Sequence, residues 1–139
     1  MDIPNVRHRL GYLLKHAQLR LSGLTGKALE PYGIDGRQLA VLIAIDNGVP
    51  GSQQEIARRL DVDRTSMVAL VDELERKGLA ERQSVTGDRR KNVVALTTAG
   101  KDTLRRATKA SNAAEREFLA KLSEAEAVTF RQLLQTVVS

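Results

Sequence analysis

The stretch QEIARRLDVDRTSMVALVDEL, Gln54 to Leu74, leaves a chain few ways to fold. Its apolar residues recur at helical spacing on both sides of a short break: Ile56 and Leu60, then Val62, then Met67, Leu70, Val71 and Leu74. A small residue, Ala57, stands where two helices would cross closely. This is the spacing of a helix-turn-helix, with helices over Gln53–Leu60 and Arg64–Lys77 joined by the turn LDVD. The turn position often held by Gly is Asp61, a residue that tolerates the left-handed conformation better than most. Ser52 and Glu55 fit a capping box at the first helix, Asp63 caps the second, and Gly78 stops it.

The apolar set packs the second helix on the first and leaves its opposite face free. On that face stand Arg64, Thr65, Ser66 and Ala69. Short polar or methyl-bearing groups near a helix N-terminus suit a major groove ~12 Å wide, where they meet base edges and the thymine methyl. The free N–H groups and dipole of that terminus also favour a phosphate. The plain alternative is a helical hairpin with a solvated outer face.

The next segment of the chain weighs against the plain alternative. LAERQS (79–84) and NVVALT (92–97) read as two strands of a hairpin joined by the turn VTGDRRK. Val94 and Leu96 are two apart and so face one side, toward a core. A helix-turn-helix trailed by such a hairpin is a winged helix-turn-helix. Arg89 and Arg90 at the wing tip can reach a minor groove, whose negative potential attracts Arg. Asp88 repels phosphate as a contact, but as a clamp it pairs with an Arg guanidinium and holds the wing in shape. Arg82 and Lys91 add phosphate attraction along the strands.

Helices flank this region. Val6, Leu10, Leu13, Leu14, Ala17, Leu21, Leu24 and Ala28 predict one helix over Asn5–Glu30, stopped by Pro31. At 1.5 Å per residue it spans about 39 Å, long for so small a chain, and its seam calls for a second copy. A further helix over Gly36–Asp46 has Asp35 as N-cap and Leu39, Leu42 and Ile43 as its apolar face. Leu104, Ala107, Ser111, Ala114, Phe118 and Leu122 form the seam of another, and a second capping box, Ser123 with Glu126, opens the last. The expected organisation is a mainly α chain with a small two- or three-stranded β-wing. Residues 35–98 form the winged helix-turn-helix, and residues 1–31 and 101–139 form long dimerisation helices.

Charge points the same way. Of 139 residues, those from Arg58 to Lys109 hold 13 Lys and Arg against 8 Asp and Glu, while the rest hold 9 and 9. The net charge of +5 therefore lies in one central block, the footprint expected for a polyanion. The absence of Cys excludes disulfides, thiolate zinc sites and thiol redox sensing. The opening MDIPNVRHRL lacks the apolar region of a signal peptide, and no run approaches the ~18 residues of a membrane span, so the expected location is the cytoplasm. His8 and His16, eight apart on one helix, suit neither catalysis nor a metal, and no cofactor or metal is expected. Aromatic content of 3% argues against single-stranded RNA.

The stretch DRRKNVVALTTAG resembles the wing signature of the MarR family of bacterial transcriptional regulators, through Asp88, Arg90, Val94, Leu96, Thr97 and Gly100. The order of elements is similar too. The resemblance implies a homodimer joined through its first and last helices, binding double-stranded DNA at a palindromic operator. It further implies repression relieved by a small, often aromatic or phenolic, ligand. Carried over by position, Asp88 braces the wing and Arg89 or Arg90 enters the minor groove. Arg64, Thr65, Ser66 and Ala69 read the major groove, with Gln38, Ser52 and Gln53 as weaker backbone contacts. Arg9, Tyr12, His16, Arg20 and Tyr32 are the residues that could face a ligand pocket between the dimer helices and the winged region. The competing expectation is a winged-helix protein-interaction module that does not touch DNA.

Overall fold

The computed structural model describes residues 5–47, 51–85 and 88–139; of residues 85 and 88–92 it describes the backbone. The elements run in the order α1 (Leu10–Leu29), α2 (Gly36–Asp46), α3 (Gln53–Leu60), α4 (Arg64–Arg76), β1 (Ala80–Val85), β2 (Asp88–Leu96), α5 (Thr98–Phe118) and α6 (Glu124–Val138). Short 3-10 turns at Val6–His8 and Glu30–Tyr32 bracket α1.

The first helix is shorter than its periodicity predicts. Asn5 caps a separate turn, its Oδ1 accepting from the Arg7 N–H at 3.0 Å, and the Arg9 N–H closes that turn on Val6 O. Arg9 is extended, so α1 has 20 residues and spans about 30 Å. Pro31 sits inside the 3-10 turn after α1, which ends at Gly33 in the left-handed conformation.

The winged region forms as expected. Asp35 and Gln38 make a reciprocal capping box at α2. Helix α3 ends at Asp61, whose φ of 52° and ψ of 46° are left-handed; the Val62 and Asp61 N–H groups bond back to Ala57 and Arg58 carbonyls. Gly78 closes α4 in the same way, with φ +75° and the Leu79 N–H on Leu74 O at 2.9 Å. The capping box at α3 is half formed. Ser52 Oγ accepts from the Glu55 N–H, but the Glu55 carboxylate accepts from that hydroxyl and not from the Ser52 backbone.

The core gathers Leu29, Val41, Leu42, Ile56, Met67, Val71, Leu74 and Val94, all fully buried, with Leu60, Val62, Leu70 and Leu96 packed against it. Helix α2 corrects the sequence reading. Ile43 is 40% exposed, while Val41, Ala44 and Ile45 are buried with Leu39 and Leu42. This helix is contacted by α1, α3, α4, α5 and β2, so more than one stripe of it is covered.

Strands β1 and β2 form a two-stranded antiparallel sheet, joined by a single bridge from Ser52 to Val93. Pairing runs unbroken from Ala80↔Leu96 to Ser84↔Asn92; Val85 then pairs with Asp88. The connecting turn is thus shorter than VTGDRRK, because β2 already begins at Asp88. The register shifts between Ser84 and Val85, opposite residues 89–91.

Helix α1 packs along α5. On α5, Leu104, Ala107 and Ala114 are buried, Ser111 and Phe118 are half-buried, and Leu122 beyond its end is exposed. The Ser123–Glu126 capping box opens α6, which has no buried residue.

Candidate nucleic-acid interface

The N-terminus of α4 is set by Asp63. Its Oδ2 accepts from the Ser66 N–H at 3.0 Å and its Oδ1 from the Ser66 hydroxyl at 2.6 Å. The Ser66 hydroxyl, then its N–H, hold the Asp63 carboxyl below its ordinary pKa, so the cap is ionised. Ser66 is half-buried and its hydroxyl proton is committed to Asp63. Arg64, Thr65 and Ala69 are exposed on the outer face as the apolar pattern requires. Sequence reasoning passed over Val68, which is also exposed and lies one turn beyond Arg64. Its signal was available: an apolar residue out of phase with Met67, Val71 and Leu74 faces outward.

The four weaker backbone candidates all make contacts within the protein. Gln38 is 6% exposed, and its Oε1 accepts from the Asp35 N–H at 3.1 Å and from Lys77 Nζ at 3.0 Å. It secures α2 to the end of α4 and has no face toward a phosphate. Ser52 is committed to capping α3. Gln53 and Arg82 are bonded to each other, with Arg82 Nη2 donating to Gln53 Oε1 at 2.8 Å. Arg82 also pairs with Asp72 and Glu75 of α4. Arg82, expected to add phosphate attraction along its strand, is thus held against α3 and α4. Across the sheet it faces Val94, which is buried, so its side chain leaves β1 on the inner face and must find acids there. Between α2 and α4, the exposed cations without an ion pair among the described residues are Arg37, Arg58, Arg59 and Arg64.

The side chains of Asp88, Arg89, Arg90 and Lys91, expected at the wing tip, lie outside the described residues. Their backbone belongs to β2.

Of the ligand candidates, Tyr12 and His16 come together, ring centroids 4.1 Å apart. Arg9, just before α1, and Arg20, within it, are exposed, while Tyr32 packs on the core beyond the far end of that helix. At 1.5 Å per residue the two tyrosines are separated by roughly 25 Å of helix, so one protomer does not gather all five. A separate apolar groove of about 310 Å³ opens between Leu21 of α1, Phe118 and Leu119 at the end of α5, and Phe130 and Leu134 of α6. Arg131 and Glu115, paired at 2.7 Å, also line it. Among the described residues no cluster of three His, Cys, Asp or Glu could hold a metal, and no helix is long and apolar enough to cross a membrane.

The family model described as MarR family matches residues 32–91. A regulatory protein assigned to the hcr operon of Thauera aromatica is 32% identical over 127 residues, 91% of this chain and 76% of its own length. Two solved structures share the whole architecture. The repressor CouR bound to a 23-mer DNA duplex superposes with a TM-score of 0.90 at 30% identity, covering 100% of both chains. The PcaV regulator of Streptomyces coelicolor, in complex with its natural ligand, gives a TM-score of 0.86 at 25% identity, covering 99% of this chain and 97% of its own.

Proposed function

The chain belongs to the MarR family of transcriptional regulators, and from that premise we infer that it is a DNA-binding regulator acting as a homodimeric repressor. The observation that carries this reading is the outer face of α4. Arg64, Thr65, Val68 and Ala69 are exposed there on a helix whose other side is anchored in the core. Arg64 supplies charge at the phosphate, Thr65 a hydroxyl at a base edge, and Val68 and Ala69 apolar contact for thymine methyls.

A single copy leaves much apolar surface uncovered. Leu10, Leu13 and Leu14 of α1 and Leu133, Val137 and Val138 of α6 are all exposed, Leu10 at 75% and Val137 at 77%. Apolar patches on that scale belong to an interface. Pairing α1 and α6 with a second copy buries them and brings two α4 helices to one side. These then enter successive major grooves about 34–36 Å apart on a palindromic site. A small aromatic or phenolic ligand binding between the dimer helices and the winged region changes that spacing and releases the DNA. Tyr12, its ring tilted against that of His16, is the aromatic lining available on α1. The protein works in the cytoplasm and performs no catalysis. A protein-interaction module without DNA contact is not favoured, because CouR, at 30% identity over the full chain, carries DNA on the same architecture.

Fluorescence anisotropy with a duplex that the protein selects from a randomised pool tests the reading. A steep fall of affinity with salt is expected from counterion release. Binding to no duplex, or a flat salt response, would refute it. Sedimentation of a stable monomer at about micromolar concentration would refute the dimer.

A further inference from the structure

Arg82 occupies an unusual place for a cation in a DNA-binding region. Its Nη1 meets Asp72 Oδ1 at 2.7 Å and the Glu75 carboxylate; its Nε and Nη2 meet Gln53 Oε1 at 3.1 and 2.8 Å; Nη2 also reaches the Val68 carbonyl at 3.4 Å. Four hydrogen bonds and the Asp72 ion pair thus engage all three nitrogens of the guanidinium inside the protein. The side chain is 24% exposed. It joins the inner face of the wing strand β1, the first residue of α3 and three points along α4.

We propose that Arg82 is a positioning residue that fixes the pose of α4 against the wing and α3, so that Asp72 and Glu75 promote sequence-specific DNA binding despite their charge. This rests on the DNA-binding reading. A planar fork held by acceptors on separate elements restrains rotation as well as distance, which a point charge does not. Any turn of α4 about its axis moves Asp72 and Glu75 relative to Gln53, and so breaks one arm of the cluster. The same turn would carry Thr65, Val68 and Ala69 away from the base edges. The cluster therefore governs base readout, while non-specific attraction to phosphate, carried by exposed cations such as Arg58 and Arg64, does not pass through it.

The test compares wild type with Arg82→Lys, Arg82→Met and Glu75→Gln on two labelled duplexes: the site selected by wild type from a randomised pool, and a scrambled duplex of the same composition. Affinities are taken across a salt series. The proposal expects Glu75→Gln and Arg82→Lys each to weaken the selected site about tenfold, with the scrambled duplex and the salt slope unchanged. A direct phosphate contact gives the opposite pattern and would overturn it. In that case Arg82→Lys keeps its affinity, Glu75→Gln tightens both duplexes, and Arg82→Met lowers the salt slope by about one per protomer. Simple loss of folded protein is recognised by both affinities falling together and by a lowered thermal midpoint. If the arginine variants melt below the assay temperature, Glu75→Gln, a near-isosteric change, decides by its sign alone. A wild type with no salt-dependent preference for any duplex would overturn the DNA-binding reading, and the role of Arg82 with it. A binding wild type with the second pattern overturns the role of Arg82 alone.

Discussion

Replacing Gly100 by Ala tests how rigidly the winged region is fastened to α5. Gly100 is the third residue of α5, whose N-cap is Thr97. A Cβ added there would lie 1.9 Å from the Leu79 carbonyl oxygen, where real contacts essentially never fall below 3.0 Å. Either Leu79 or α5 must retreat by about 1 Å. That oxygen accepts the Thr97 N–H at 3.1 Å, and the Thr97 hydroxyl donates to Gly78 O at 2.6 Å while accepting the Gly100 N–H at 2.9 Å. The shift therefore strains the join between the end of α4, the start of β1 and the start of α5. Overpacking costs about 1–3 kcal/mol. A weakened hydrogen bond adds about 1 kcal/mol, and the better helix propensity of Ala returns about 1 kcal/mol. The net expectation is a loss of about 2 kcal/mol, or roughly 6–8 °C in the thermal midpoint for a chain of this size. Circular dichroism melts at one fixed protein concentration measure it. Gly36→Ala is the control, since its Cβ meets only Thr25 Cγ2 at an ordinary 3.8 Å. A Gly100→Ala midpoint within about 2 °C of wild type would show that the contact yields freely, and would refute the argument from close approach.

Two further outcomes are expected. The folded pKa of Asp63 is depressed, so its cap stabilises above the ordinary value of 3.8 and is lost as pH falls through the lower folded value. Asp63→Ala should therefore melt below wild type near neutral pH, and the gap should close in acid; a gap independent of pH would contradict an ionised cap. Lys77 Nζ bonds Gly33 O at 2.6 Å and Gln38 Oε1 at 3.0 Å, so Lys77→Met should cost about 1 kcal/mol in urea denaturation and speed amide exchange in the first turn of α2.

The boundaries of the winged region were legible because short capping side chains mark them. Asp35, Ser52 and Asp63 each accept a backbone N–H from the third residue of their helices, a pattern written within four positions, as does Ser123 at the last helix. Asp61 takes the left-handed turn in place of Gly for the same local reason. What was not legible depends on tertiary neighbours. Ile43 shares the period of Leu39, yet the helices and strand around α2 cover Val41 and Ala44 instead. Arg82 looks like any solvated cation until the register sets it opposite Val94, and Gln38 looks polar and free until Lys77 arrives from 39 positions away. The break at Arg9 closes a turn capped by Asn5, whereas the apolar period runs through it without interruption.

The unbroken pairing between Ala80–Leu96 and Ser84–Asn92 also shapes how this chain can change over generations. A strand that slips by one residue exchanges its two faces. Here the register shift lies beyond the Ser84–Asn92 pair, so insertions, deletions and charge swaps in that outer segment leave Val94 and Leu96 facing inward. The outer wing can therefore be lengthened, shortened or recharged without rebuilding the core beneath it.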